Sequence, residues 1–244
     1  MAKRDVTLMT YMLLSIAFQW NLSSPTVLSW LIWLDQNARM HGQKGRHPDD
    51  LYAIAHRLSV EFIFANSVHV RTHPPSSTHW CPPPPGKLKL NVDGACSTSV
   101  WKRGLGAVVR NVHGDLMGAI SVPITGCFSA KVTELLAIRE GLQFTWETGY
   151  DSLVVETDAK NAINDIISGT EAFGVAGGII NDIHMLSRNF DSLSFVFSPR
   201  LCNTVADRLA KFALGSVSID VWLEEGPPWL NVFLQADADR LELS

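Results

Sequence analysis

LKLNVDGACS, residues 88–97, reads as a strand with an interruption in its pattern. Leu88, Leu90 and Val92 alternate with Lys89, Asn91 and Asp93, the period of two that marks a strand with one apolar and one polar face. Gly94 and Ala95 then remove the side chains just where the pattern should continue. A carboxylate thus stands at the tip of a well-patterned strand, with open space expected beside it.

Working outward, GLGAVVRNVHGDLMGAISV supplies two more strands, and His113-Gly114-Asp115 makes the turn of a hairpin between them. From Ser129 to Glu147 the apolar spacing becomes helical, through Val132, Leu135, Leu136, Ile138, Leu142 and Phe144, and Gly149 ends the helix. SLVVETD (152–158) is a short buried strand. Helical stretches follow near Ala159–Ile167 and Val175–Phe190, separated by SGTEAFGVAGG; LSFVFSP is a last strand and NTVADRLAKFAL a last helix. The order βββαβααβα predicts an α/β fold: three strands joined by tight turns, then two reached through helical crossovers and parallel to the first.

On the N-terminal side, HPPSSTHWCPPPPG (73–86) contains six prolines, which forbid helix and central strand and make it an extended linker. Before it, residues 1–72 read as a helical segment. Leu28, Leu31, Ile32, Leu51, Ile54, Ala55, Leu58 and Phe62 fall at helical spacing around the polar loop RMHGQKGRHPDD. The apolar stretch from Leu8 to Leu34 is cut by Gln19, Asn21, Ser23, Ser24 and Pro25 into pieces shorter than the roughly 20 residues of a spanning helix. Buried or partner-facing helices are therefore expected there, against the alternative of a signal peptide or anchor. The expected divisions are 1–72, the linker 73–86, an α/β domain 87–215 and a tail 216–244.

Charge excludes a broad basic field: Lys and Arg number 20 against 24 Asp and Glu, and 12 against 13 within residues 87–215. Any nucleic acid would be held by local contacts, with a shallow salt dependence. Cys81, Cys96, Cys127 and Cys202 show no Cys-x-x-Cys spacing, which favours reduced thiols and an intracellular protein over a disulfide scaffold or a zinc site. No dedicated protein partner is evident.

Four acids occupy special places in this layout. Asp93 ends the first strand, Glu134 lies in the first turns of the long helix, Asp158 ends SLVVETD, and Asp207 lies within the last helix. If the first and fourth strands are parallel neighbours, Asp93 and Asp158 sit side by side at the carboxyl end of the sheet. Crowded carboxylates raise one another's pKa unless cations neutralise them, and hard oxygen ligands suit Mg²⁺. A pair of such ions can activate water and bridge a phosphodiester without a histidine or cysteine nucleophile. Each acid also has a plainer reading. Asp93 before Gly94 is a turn former, Glu134 a solvated helix charge, Asp158 the cap of the next helix, and Asp207 a surface charge paired with Arg208 or Lys211.

At these residues the sequence resembles the type 1 ribonuclease H family, in particular the plant ribonuclease H-like domains related to non-LTR retrotransposon reverse transcriptases. The resemblance covers about residues 87–215. It is carried by LKLNVDGACS, RGLGAVVRNVHGD, KVTELLAIREGLQFTWETG, SLVVETDAKNAI and PRLCNTVADRLAKFAL, in that order. It continues more faintly in WLIWLDQNARMHG and in VWLEEGPPWLNVFLQAD. The resemblance implies a five-stranded mixed sheet of order 3-2-1-4-5 flanked by helices, and endonucleolytic hydrolysis of the RNA strand of an RNA–DNA hybrid. It makes Asp93, Glu134, Asp158 and Asp207 both catalytic residues and ligands of Mg²⁺, as two ions, with Mn²⁺ as a substitute. Gly94 and Cys96 match positions that approach the hybrid and read RNA 2′-hydroxyls, although Cys96 equally suits a small buried site. Asn203 would position groups beside Asp207 or cap its helix.

Two departures from the family stand out. Where many relatives place a mobile His before the last helix, this chain has Phe197-Ser198-Pro199-Arg200. Arg200 can hold a phosphate but, always charged, cannot act as a base. The connection SGTEAFGVAGG, where some relatives carry a basic protrusion, has no Lys or Arg. A catalytically weak or inactive nucleic-acid-binding module derived from a retrotransposon is the alternative these departures support.

Overall fold

The computed structural model describes residues 24–67, 79–97, 101–168 and 174–242. The apolar piece before residue 24, the first part of the proline linker (73–78) and the middle of SGTEAFGVAGG lie outside the described residues. The chain divides into two compact units, Met1–Phe62 and Ile63–Ser244.

In the first unit, helix α1 (Ser24–Met40) and helix α2 (Pro48–Ser67) form a hairpin around the polar loop. The expected apolar stripe does the packing in part: Leu31, Leu51 and Ala55 are buried, with Val27, Leu28, Trp30, Leu34 and Ile54 against them. Ile32, assigned to the same stripe, stays exposed. Asp35 fixes the loop, accepting from Arg39 Nε at 2.7 Å and from the Arg46 N–H at 2.7 Å. Among the described residues, no helix is long and apolar enough to cross a membrane.

The second unit is a mixed sheet covered on both faces. In chain order it contains β1 (Leu88–Cys96), β2 (Lys102–Arg110), β3 (Leu116–Thr125), α3 (Ala130–Glu147), β4 (Ser152–Thr157), α4 (Lys160–Ser168), α5 (Gly174–Ser187), β5 (Ser192–Phe197), α6 (Thr204–Ala213), β6 (Asp220–Leu223) and α7 (Pro228–Glu242). The strand order is β5-β4-β1-β2-β3-β6. β1 pairs antiparallel with β2 and parallel with β4, and β4 pairs parallel with β5. The five-stranded order expected from sequence is present, extended by β6 antiparallel to β3. Residues 216–244, read as a tail, therefore contribute a strand and a helix to the fold. Leu230 of α7 is buried with Val108, Leu116, Val205 and Leu209, and Phe212 stacks on Trp229 at 4.9 Å.

Alternation along β1 sends Leu90 and Val92 into the main core with Leu135, Ile138, Leu142, Ile166, Ile180 and Phe195. The opposite face is not solvated, as a polar strand face would suggest: Lys89, Asn91 and Asp93 are all buried. Beneath Asp93 the buried polar groups bond one another, with Arg110 Nε alone in this network left without a partner. Asn91 accepts from Trp80 Nε1 at 3.0 Å and from Arg110 Nη2 at 3.1 Å, and donates to Glu156 at 3.0 Å. Lys89 donates to Glu156 at 2.5 Å and to the Cys81 carbonyl at 2.6 Å. Arg110 pairs with Asp237 of α7 at 2.7 Å, and its guanidinium lies 3.7 Å from the centre of the Trp80 ring. The end of the proline-rich segment and the last helix are thereby fastened to the sheet.

Helix α6 lies unusually close to the sheet because β2 carries Gly104 and Gly106. A methyl group at Gly106 would come within 2.5 Å of the Ala206 carbonyl, and one at Gly104 would overlap that of Ala210. These two glycines set the distance at which α6 presents its side chains to the end of β1.

Candidate active site

Parallel pairing puts Asn91 opposite Glu156, so Asp93 and Asp158, each two residues further on, emerge side by side at the carboxyl end of the sheet. Glu134 arrives from α3, whose first turn is capped by the Ser129 hydroxyl accepting from the Val132 N–H at 3.2 Å. The open space expected beside Asp93 is filled by this helix. A Cβ on Gly94 would lie 3.0 Å from the Thr133 carbonyl carbon and 3.1 Å from the Glu134 nitrogen. Gly94 thus admits α3 rather than leaving a vacancy, and its N–H bonds the Glu134 carboxylate.

Carboxylate oxygens of Asp93, Glu134 and Asp158 lie within 4.8 Å of one another. Burial, then the charges of Asp158 and Asp207, push Asp93 up to about 7. Burial, then the charges of Asp93 and Asp158, push Glu134 up to about 9. Glu134 Oε2 is buried with no hydrogen-bond partner, so an acceptor is aimed into the cluster without a donor. An all-oxygen donor set with such an orphan fits a hard divalent cation.

Asp207 stands apart from the trio. It accepts from Arg200 Nη2 at 3.2 Å through Oδ1 and from Lys211 Nζ at 2.6 Å through Oδ2. The surface pairing with Lys211 considered from sequence is thus formed, although the Asp207 side chain is mostly buried and its charge still reaches Asp93.

Asn203 precedes α6 but makes no side-chain cap there. Its amide donates instead to the Val92 carbonyl at 2.8 Å, tying the start of α6 to the residue before Asp93, and its own backbone carbonyl accepts from the Asp207 N–H at 3.1 Å. Ahead of α4, the Ala159 N–H goes to the Thr157 hydroxyl at 3.1 Å. Cys96 is exposed, with Sγ 3.7 Å from Thr133 Oγ1, so the small buried site that was its alternative is not what it occupies. Arg200 is open to solvent on a 3₁₀ turn, Arg200–Cys202.

The support under the site was not singled out from sequence. Glu156 and Asn91 lie two residues before Asp158 and Asp93, and the alternation of Lys89, Asn91 and Asp93 in β1, with Glu156 and Asp158 at the end of β4, was the available signal.

A sheet of this order carrying acids at these positions defines a class, and the sequence matches the reverse transcriptase-like family over residues 91–213. The chain belongs to that family, and its fold is ribonuclease H-like. It is 28% identical over 146 residues to an Arabidopsis thaliana protein provisionally named a ribonuclease H protein, covering 58% of this chain and 23% of that one. The chain thus spans about a quarter of the length of that relative. Among solved structures, ribonuclease H1 of the archaeon Halobacterium salinarum superposes with a TM-score of 0.50 at 21% identity, over 53% of this chain and 98% of that one. LC11 ribonuclease H1, solved with an RNA/DNA hybrid, gives 0.48 at 19% identity, over 52% of this chain and 96% of that one.

Proposed function

We propose that residues 87–215, with the sixth strand and last helix that complete their sheet, form a metal-dependent endonuclease that hydrolyses the RNA strand of RNA–DNA hybrids. The observation that carries this reading is the cluster of Asp93, Glu134 and Asp158 within 4.8 Å, Asp93 buried and the other two half-buried, with the burial and mutual repulsion that raise Asp93 and Glu134. Folded proteins seldom bury carboxylates this way without a cation to offset them. Asp93, Glu134 and Asp158, joined by Asp207, would hold Mg²⁺, as a pair of ions, with Mn²⁺ as a substitute. Bound there, divalent ions supply a polarised water and offset charge on the phosphate.

The chain's own groups do the rest. Glu134, raised to about 9, keeps its proton at neutral pH and Asp93, raised to about 7, is partly protonated there, so loading the site with a cation releases protons. Asn203 and the glycine contact at 94 hold β1, α3 and α6 in one register, which keeps the acids oriented. The exposed Arg200 offers a guanidinium to a phosphate oxygen, and Cys96, exposed at the end of β1, lies where a 2′-hydroxyl would separate RNA from DNA. Proton transfer to the leaving group falls to water, since Phe197, Ser198 and Pro199 offer no titratable group.

The deciding experiment incubates purified protein with a labelled hybrid and Mg²⁺. Cleavage confined to the RNA strand and abolished in Asp93→Asn is expected; no cleavage, or cleavage unchanged in the variant, refutes the proposal. The second reading, a hybrid-binding module with little turnover, is favoured by the two cations already occupying Asp207. It predicts a gel shift with negligible cutting even in Mn²⁺.

A further inference from the structure

Asp207 differs from the other three acids in how it is held. Both of its oxygens are engaged, Oδ1 by Arg200 at 3.2 Å and Oδ2 by Lys211 at 2.6 Å. It lies outside the trio whose oxygens gather within 4.8 Å. Each Asp207 oxygen keeps a second lone pair, but a cation drawn to either one would sit beside the Arg200 or Lys211 charge, and that repulsion favours opening at least one of the two ion pairs. The two partners are built to let go: the Lys211 and Arg200 side chains are 51% and 73% exposed, while that of Asp207 is 12% exposed. A half-exposed pair of this kind is worth little beside a metal–carboxylate bond. The shorter contact is made by Lys211 from one turn along α6, on a stem with several rotatable bonds and an ammonium that carries three donors.

We propose that Lys211, with Arg200 beside it, is an exchangeable counter-ion of Asp207. It holds the fourth carboxylate away from the trio in the metal-free protein and releases it when a divalent ion draws Asp207 inward. The freed ammonium then takes a phosphate oxygen of the bound nucleic acid. This rests on the metal-dependent reading of the site and adds to it a positioning residue, Lys211, that couples the two binding events. Because coupling between sites is reciprocal, metal tightens nucleic-acid binding and nucleic acid tightens metal binding.

The test uses the full chain and reads Mn²⁺ uptake by the loss of the free-ion electron paramagnetic resonance signal, without nucleic acid. Lys211→Met is expected to bind Mn²⁺ about two- to five-fold tighter than wild type, the worth of a partly exposed ion pair. Lys211→Arg, which keeps an ion pair to Asp207, is expected to restore wild-type affinity. In an Asp207→Asn background the gain from Lys211→Met disappears if the clamp is the cause. An equal gain in that background reports only a nearby positive charge and overturns the proposal, as does no gain at all.

Hybrid binding in Ca²⁺, followed by fluorescence anisotropy over a salt series, provides the second arm. The slope of log affinity against log salt steepens by about one relative to chelator in wild type, and not in Lys211→Met. An unchanged slope in wild type overturns the release step. A wild-type chain that takes up no Mn²⁺ refutes the metal site itself, whereas normal uptake without Lys211–Asp207 coupling refutes this inference alone.

Discussion

Replacing Asp93 by Asn is expected to stabilise the metal-free protein at pH 8. In the folded chain burial and two neighbouring carboxylates raise Asp93 from 3.8 to about 7, so ionising it there costs free energy that the unfolded chain does not bear. At about 1.4 kcal/mol per pKa unit, the ceiling on that cost is ~4 kcal/mol. An Asn still loses hydrogen bonds to water on burial, which brings the net gain to about 2–4 kcal/mol. For a chain of this size each kcal/mol moves the melting temperature by about 2–4 °C, so a rise of roughly 4–16 °C follows. The sign with pH is fixed by the direction of the shift. Because the folded-state value lies above the unfolded one, wild-type stability is fully present below about 4 and is lost as pH rises toward about 7. The gap between variant and wild type is therefore widest above pH 7 and closes toward pH 4. Mg²⁺ at 100 times its dissociation constant adds about 2.7 kcal/mol to wild type and clearly less to the variant. Thermal melts by circular dichroism, in chelator and then in Mg²⁺, measure all three effects. Equal melting temperatures at pH 8 in chelator, or a gap that persists unchanged to pH 4, would refute the account of Asp93 as an uncompensated buried charge.

Gly106→Ala places a methyl group against the Ala206 carbonyl and is expected to cost about 1–3 kcal/mol through displacement of α6, read as a lower urea midpoint with unchanged slope. Asp237→Ala leaves Arg110 buried without its 2.7 Å partner and costs about 3–5 kcal/mol. Truncation at residue 215 removes the same partner together with β6, and the product is expected to be insoluble or molten by near-ultraviolet circular dichroism; a well-folded 87–215 fragment contradicts this account. Asn203→Ala strands the Val92 carbonyl now bonded at 2.8 Å, lowering stability by about 1–3 kcal/mol and weakening Mn²⁺ uptake because β1 and α6 lose their tie. Undiminished uptake in a folded Asn203→Ala protein shows that the tie does not orient the acids.

Much of the architecture was legible because it is written in local periodicity. The alternation of Leu88, Leu90 and Val92 gave β1, the helical spacing from Val132 to Phe144 gave α3, and Gly149, with φ of +82°, ends that helix where a glycine was expected to. The meeting of Asp93 with Asp158 was legible too, since parallel crossovers leave few topologies open. Gly94 was read as an opening for substrate, whereas a Cβ at that position would press on α3. Sequence shows that a side chain is missing but not which neighbour needs the room. The segment after residue 215 gave only a faint signal, because a four-residue edge strand and the mixed polar face of α7 carry little periodicity of their own.

Between residues 87 and 215, local pattern specified the strands and helices, the order in which they follow one another and the identity of the four acids, because each of these depends on neighbours a few residues apart. Tertiary structure alone decided how the polar face of β1 is buried, since Lys89, Asn91, Glu156, Arg110 and Asp237 satisfy one another across as many as 127 residues of chain. It also decided that three acids converge while Asp207 is held by Arg200 and Lys211. Such charges are placed by packing at long range, where Coulomb energy and desolvation depend on ångström-scale distances that no local pattern encodes.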